Sequence, residues 1–289
     1  MIGQKHLLNA IDNLISDNTF PRFTIIAGAK GSGKKLIAHY IANELESYAI
    51  PIGIKVDDIR DMIQSAYKLT SPGTYIIADA DSMSAAAKNA LLKVTEEPPN
   101  NAYFVMTLED ANQALDTIRS RATVFYVDNY TQNEIFEYYW TVGNMPNDAE
   151  RVKELCETPG EVDKCVAMCS GTVQSFYDYV NLVVDNIATV SGANSFKIAD
   201  KINLKSDDTK YDFNLFLKAF RNICLERASD LMQTCSYNGI IQMNTYLKWV
   251  RITSKYLREL HINGINKAST FDCWLLDIRE VAFNGPPGS

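Results

Sequence analysis

Histidine is scarce in this chain and its cysteines are dispersed. Of 289 residues, 3 are histidines (His6, His39 and His261) and 6 are cysteines (Cys156, Cys165, Cys169, Cys224, Cys235 and Cys273). No two cysteines stand in a Cys-x2-Cys pair, so the spacing that announces a structural zinc site is missing. Cys165 and Cys169 share a helix face at a separation of four but have no further ligands nearby. Buried free thiols acting as small hydrophobes are the expected state. No apolar run approaches the ~20 residues that a membrane-spanning helix needs. The opening Met1-Ile2-Gly3-Gln4-Lys5 has no apolar segment of the secretory kind, and the expected compartment is the cytoplasm. Basic residues are outnumbered, 28 Lys and Arg against 35 Asp and Glu, for a net charge of −7. That balance excludes a chain that coats DNA through its overall charge. It leaves room for a local basic face or for DNA binding shared with partner subunits.

The first half alternates between strand and helix patterns. Strands are expected at Phe23–Ala27, Ile52–Val56, Thr74–Ala78, Ala102–Thr107 and Thr123–Val127, each short and rich in β-branched or aromatic residues. Helices are expected between them at Leu7–Ile15, Leu36–Leu45, Asp57–Leu69, Ser84–Glu96 and Gln113–Ile118. Asp57 and Asp58 are candidate N-caps of the third helix, and Pro98-Pro99 ends the fourth. Such alternation implies a parallel five-stranded sheet with flanking helices. After Tyr130 strand signals stop. Helical periods run from Thr131, through two helices around Thr158-Pro159-Gly160, and on to Val173–Val190, Phe213–Gln233, Ile240–His261 and Lys267–Phe283. The chain therefore divides into an α/β core over 1–128, a small helical segment over 129–171 and a helical domain over 172–289.

The loop between the first strand and the second helix reads Gly28-Ala-Lys-Gly-Ser-Gly-Lys34, a G-x4-G-K pattern. Such loops turn backbone N–H groups toward phosphates, and the following helix adds its positive N-terminus. Gly28, Lys30, Gly31, Ser32, Gly33 and Lys34 are the candidate phosphate-binding residues. The next position should offer a magnesium-binding hydroxyl, but it is Lys35, a cation with no acceptor. Two acids are expected at the end of the third strand, one for the metal and one for the attacking water. One alignment places them at Ala78 and Asp79; the other places them at Asp79 and Ala80. In either, one acid is missing, so two independent defects fall on one ion site, and no metal is assigned to it.

Farther on, Lys88-Asn-Ala-Leu-Leu-Lys-Val-Thr-Glu-Glu-Pro-Pro99, Thr107 and Ile118-Arg-Ser-Arg121 join Gly3-Gln4 and the glycine loop in one series. This series resembles the bacterial DNA polymerase III clamp-loader AAA+ family, most closely its delta-prime subunit. It covers the α/β region well and the helical C-terminal third loosely.

The resemblance implies an AAA+ P-loop core, a small helical lid and an all-α collar. Ser120-Arg121 matches the first two residues of the family's Ser-Arg-Cys motif, with Ala122 in place of the cysteine. That match implies Arg121 as an arginine acting in trans at a neighbouring subunit's ATP site, where a guanidinium stabilises charge that grows in the transition state. Arg119 is the second choice. Thr107 matches the polar residue that senses the γ-phosphate; a strand-end threonine serves equally well as a cap.

The chain also departs from the family. Relatives carry a four-cysteine zinc module between the first helix and second strand, whereas here Glu46–Pro51 bridges that gap, so no zinc is expected. The lid arginine is missing from Pro159-Gly-Glu-Val-Asp-Lys164, and Asp163 would repel a γ-phosphate lying close. The implied role is a non-hydrolysing stator of the polymerase III holoenzyme that needs no cofactor and binds ATP or ADP weakly at most. Its partners would be gamma/tau-type and delta-type subunits in a hetero-pentameric ring, the sliding clamp, and primer–template DNA through the complex. The alternatives are an active gamma/tau-like or phage-encoded motor, or a stand-alone DNA-binding protein with a silent AAA+ fold. In the helical third, Phe213, Phe216 and Phe220 fall on one face, as packing requires. Lys248, Arg251, Lys255 and Arg258 fall on another, read as solvated.

Overall fold

A computed structural model describes residues 2–142, 149–168, 173–187, 198–204, 210–233, 237–260 and 265–283. The chain forms two compact units. One is Met1–Glu134 together with Thr158–Gly160; the other is Ile135–Glu157 with Glu161–Ser289.

The first unit is built on a fully parallel sheet of β1 (Phe23–Ala27), β2 (Tyr48–Ile52), β3 (Gly73–Ile77), β4 (Ala102–Leu108) and β5 (Thr123–Tyr126), in the order β2-β3-β4-β1-β5. Between the strands run α1 (Lys5–Ser16), α2 (Lys34–Glu44), α3 (Val56–Ala66), α4 (Ala85–Ala90), α5 (Leu92–Glu96) and α6 (Asp116–Arg119). The period of two in each strand divides its apolar residues between two cores. Phe23, Ile25, Tyr75, Ile77, Phe104 and Met106 face one way, onto Ile59 and Met62 of α3, Ala87 of α4, Val94 of α5 and Ile118 of α6. Ile26, Ile76 and Val105 face the other way, onto Leu7 and Ile11 of α1 and Ile37 and Ile41 of α2. All five residues of β1 and of β3 are buried. This is why both read as unbroken apolar runs in the sequence.

The sheet and its flanking helices agree with the expected AAA+ core, and the differences have local causes. The second strand is Tyr48–Ile52, earlier than Ile52–Val56, because it pairs with β3 from Tyr48 opposite Gly73 to Ile52 opposite Ile77. It is an edge strand, where the missing N–H of Pro51 costs least. The residues after it start α3: the Asp58 carboxylate accepts the Lys55 N–H at 3.2 Å. Lys55 is therefore the N-cap, and neither Asp57 nor Asp58 is. The expected single helix Ser84–Glu96 is two, since a tight Leu91 N–H to Lys88 carbonyl bond of 3.2 Å interrupts it. Ser84 caps the first piece by accepting the Ala87 N–H. The Gln113–Ile118 helix is a short 3-10 turn at Ala111–Gln113 followed by α6.

The second unit is helical. It takes in α7 (Gln132–Val142) from Ile135 on, α8 (Ala149–Leu155), α9 (Pro159–Met168) from Glu161 on, α10 (Val173–Asn186), α11 (Phe213–Met232), α12 (Tyr237–Glu259) and α13 (Lys267–Phe283). Among its described residues is a pair of short strands that no periodicity announced. These are β6 (Ile202–Asn203) and β7 (Tyr211–Asp212), two residues each and too short to show a pattern. Phe213, Phe216 and Phe220 are fully buried. Trp274 stands edge-on to Phe216 and Phe220, at 5.6 and 5.0 Å between ring centroids, an arrangement favoured by the ring quadrupoles. Both buried indoles are satisfied: Trp274 donates to Thr253 Oγ1 at 3.1 Å and Trp249 to the Ile278 carbonyl at 2.9 Å. Buried Lys218 is held by both oxygens of Glu161 at 2.9 Å and by Glu157 at 3.3 Å, which offsets the cost of removing its charge from water. Lys248, Arg251, Lys255 and Arg258 are all exposed, as a solvated face should be.

No described helix is long and apolar enough to cross a membrane. Among the described residues no cluster of His, Cys, Asp and Glu has the makings of a metal site. Cys156, Cys165 and Cys224 are buried and Cys273 is exposed, while Cys169 and Cys235 lie outside the described residues. Burial pushes the Cys224 thiol up to about 12. In native chain at pH 8, Ellman's reagent should therefore label Cys273 and spare Cys224 until the chain unfolds, as read by peptide mass spectrometry. Labelling of Cys224 at the pace of Cys273 would contradict this packing.

Candidate functional site

The ends of β1, β3, β4 and β5 converge on one edge of the sheet, the crevice where parallel α/β sheets bind ligands. The glycine loop lies there, between Ala27 of β1 and Lys34, the first residue of α2. Gly31 and Gly33 adopt φ of 79° and 87°, values that L side chains rarely take. Gly28 packs on Val127, where an added Cβ would come within 2.8 Å of the valine Cβ.

Every carbonyl from Gly28 to Ser32 is tied to a donor of the chain itself. Lys34 Nζ donates to Gly28 and Ala29 at 2.8 Å each. Thr158 Oγ1 donates to Lys30 at 3.2 Å, the Gly160 N–H to Gly31 at 2.9 Å, and the Tyr130 hydroxyl to Ser32 at 2.9 Å. The loop amides fare differently. Among the described residues nothing accepts the N–H of Lys30, Gly31, Gly33 or Lys34. Backbone amides without a partner in the chain are the groups through which a loop of this pattern would bind an anion. Burial lowers the pKa of Lys34, and the nearby carboxylates of Glu109, Asp81 and Asp79 oppose that shift. Ser32 is buried, and among the described residues its hydroxyl has no hydrogen-bond partner.

Lys35 and Asp79 form an ion pair at 2.6 Å. Asp79 follows half-buried Ala78 at the end of β3, in the left-handed region at φ 52°, a conformation that Asp tolerates better than most residues. Its N–H donates to Thr107 Oγ1 at 3.0 Å. Thr107, fully buried, thus positions the turn that carries Asp79. Ala80 is fully buried in the core. Of the two alignments of the acidic pair, the one that sets Asp79 opposite the ion position agrees with this pairing. The position that would polarise water is then the buried methyl of Ala80. The neighbouring Asp81 accepts the Glu109 N–H at 2.8 Å and serves the fold. Both members of the Lys35–Asp79 pair are more than half exposed, so the pair contributes at most about 1 kcal/mol to stability. Its consequence is chemical: an ammonium stands beside the carboxylate where a divalent cation and its hydroxyl ligand would be.

At the end of α6, Arg121 donates from Nη1 to the Thr117 carbonyl at 2.8 Å and pairs through Nη2 with Glu96 at 3.1 Å. Its side chain is 40% exposed. Arg119 is engaged by Asn112 at 2.5 Å and Asp116 at 2.8 Å. No described contact joins Arg121 to the glycine loop, so the two features are separate on this chain. Asp163 accepts the Tyr138 hydroxyl at 2.9 Å within the second unit.

Sequence reasoning passed over Tyr130 and took Thr158-Pro159-Gly160 only as a helix start. Neither role has a local pattern, because each depends on a fold partner about a hundred or more positions away. The close approach at Gly160 was detectable only as a glycine inside a helical segment: an added Cβ would fall 2.6 Å from Gly31 Cα. Gly160→Ala should displace the loop and cost about 1–3 kcal/mol, read as a lower urea midpoint. An unchanged midpoint would mean that this contact does not hold the loop.

Comparison with known proteins bears on the same region. A sequence profile for the DNA polymerase III delta subunit matches residues 52–131. A DNA polymerase III subunit gamma of Buchnera aphidicola is 24% identical over 304 aligned positions, covering 92% of this chain and 83% of the relative. DNA polymerase III subunit tau of Escherichia coli is 27% identical, covering 44% of this chain and 25% of that longer protein. Among solved structures, a DNA polymerase III gamma-subunit-related protein of Thermotoga maritima covers 95% of this chain and 99% of its own, at 17% identity and a TM-score of 0.49.

Proposed function

We propose that this chain, a relative of the AAA+ clamp-loader subunits of bacterial DNA polymerase III, is a delta-prime-like stator. In this reading it hydrolyses little or no ATP, lends Arg121 to a neighbouring ATPase subunit, and helps load the sliding clamp during replication. The Lys35–Asp79 ion pair carries the reading. Phosphoryl transfer in P-loop proteins depends on a magnesium ion that bridges the outer phosphates and neutralises developing charge. Magnesium demands hard oxygen ligands in near-octahedral order. Lys35 brings no oxygen, repels a second cation, and occupies the acid that would bind one. Ala80, at the position expected to orient water, offers only a buried methyl. The loop amides still allow ATP or ADP to bind weakly, and the reading requires no cofactor. It places the chain in the cytoplasm, in a hetero-pentameric ring with gamma/tau-type and delta-type subunits, with DNA reached through the complex.

A second reading is an active motor of the gamma/tau kind, favoured by the names of the relatives, one of which matches 92% of this chain. Lys35→Thr separates the two, because it should do little to a motor that already works.

The stator reading predicts that Arg121→Ala slows single-turnover hydrolysis at the adjacent ATPase site about 10³-fold. This would be measured in a loader reassembled with gamma/tau-type and delta-type subunits. The variant should melt like the parent, since Arg121 lies on the surface. Unchanged hydrolysis would count against the trans-acting arginine.

A further inference from the structure

Glu96-Glu97-Pro98-Pro99 belongs to the series that carries the family resemblance. Glu96 is the last residue of α5. A carboxylate gains nothing from the negative end of a helix, so its placement calls for a cation. That cation is Arg121, 3.1 Å away. The two backbones are brought together by the core: Val94 of α5 and Ile118 of α6 are both buried in the same cluster, with Ala122 packed against it. Glu96 and the Thr117 carbonyl hold two of the guanidinium nitrogens from one side. A guanidinium has five N–H donors in a rigid fork, so donors remain to meet a phosphate while the group is held still. Arg119 has its own partners in Asp116 and Asn112, which leaves Arg121 as the arginine served by Glu96.

We infer that Glu96 is the positioning residue for Arg121: its carboxylate pre-orients the guanidinium for the phosphate of a neighbouring subunit's nucleotide. This rests on the trans-acting role proposed for Arg121. Fixing a catalytic group before the reaction removes an ordering cost from the barrier. It acts on the turnover of bound nucleotide and leaves nucleotide affinity alone. An ion pair this exposed is worth a small factor, and it is screened as salt rises.

The test is Glu96→Gln in the reassembled loader, beside Arg121→Ala. Glu96→Gln should lower the kcat of the adjacent site about two- to fivefold with KM unchanged. Glu96→Asp should recover part of the loss, and the deficit should shrink at high salt. In the isolated chain, NMR of the Arg121 side chain should show slower guanidinium rotation in the parent than in Glu96→Gln. If Arg121→Ala slows hydrolysis but Glu96→Gln matches the parent, the positioning role is overturned and the trans-acting role survives. A rise in kcat with Glu96→Gln would overturn it too, since the carboxylate would then be a restraint. If Arg121→Ala changes nothing, both roles fall. Equal guanidinium rotation in parent and Glu96→Gln would overturn the inference without any partner subunit.

Discussion

Thr24, Ile25 and Ile26 of β1 are fully buried because that strand is paired on both edges and covered on both faces. Everything at the site depends on this constraint. A strand with no freedom to shift fixes where Gly28 leaves the sheet. Its neighbour β4 carries Thr107, and β3 on the far side of β4 ends just before Asp79. The loop is then held by hydrogen bonds from Lys34, Tyr130, Thr158 and Gly160. The same sheet packs Val94 and Ile118 into its opposite core and so sets the spacing of Glu96 and Arg121. Both candidate sites are consequences of a parallel sheet buried twice over.

The loop has the glycine geometry of a G-x4-G-K pattern, with Lys35 paired to Asp79 beside it. Among the described residues its amides at Lys30, Gly31, Gly33 and Lys34 have no acceptor. The cation site is replaced within the chain, since Lys35 neutralises Asp79 directly and a buried methyl stands where a second acid would be. A loop so arranged keeps the geometry of an ATPase core while removing the ion on which the chemistry depends. Arg121 lies just after α6 and is held there by the Thr117 carbonyl and Glu96, with no described contact to this loop.

The sequence was most legible where burial is complete. β1 and β3 read as apolar runs because both faces are covered, and the G-x4-G-K pattern lies between strand and helix as its chemistry demands. It misled at the edge. Tyr48–Ile52 is half exposed, so its pairing with β3 decides the strand and its own residues do not. The break at Leu91 is hidden inside a run of good helix formers, and β6 and β7 are too short for any periodicity. In the site, Lys35, Asp79 and Arg121 announced themselves by departing from or matching a pattern of fixed spacing. Tyr130 and Gly160 did not, because what they touch is remote in sequence. The pairing of Asp79 with Lys35 was not legible in the sequence, because it depends on how β3 and the loop meet in the fold.

ATP turnover by the purified chain, with magnesium and with or without primed DNA, tests the central claim most directly. An ion site replaced by the Lys35–Asp79 pair predicts no turnover above background in either condition. DNA-stimulated turnover that disappears in Lys34→Ala would contradict it and identify a working motor with an unusual magnesium shell.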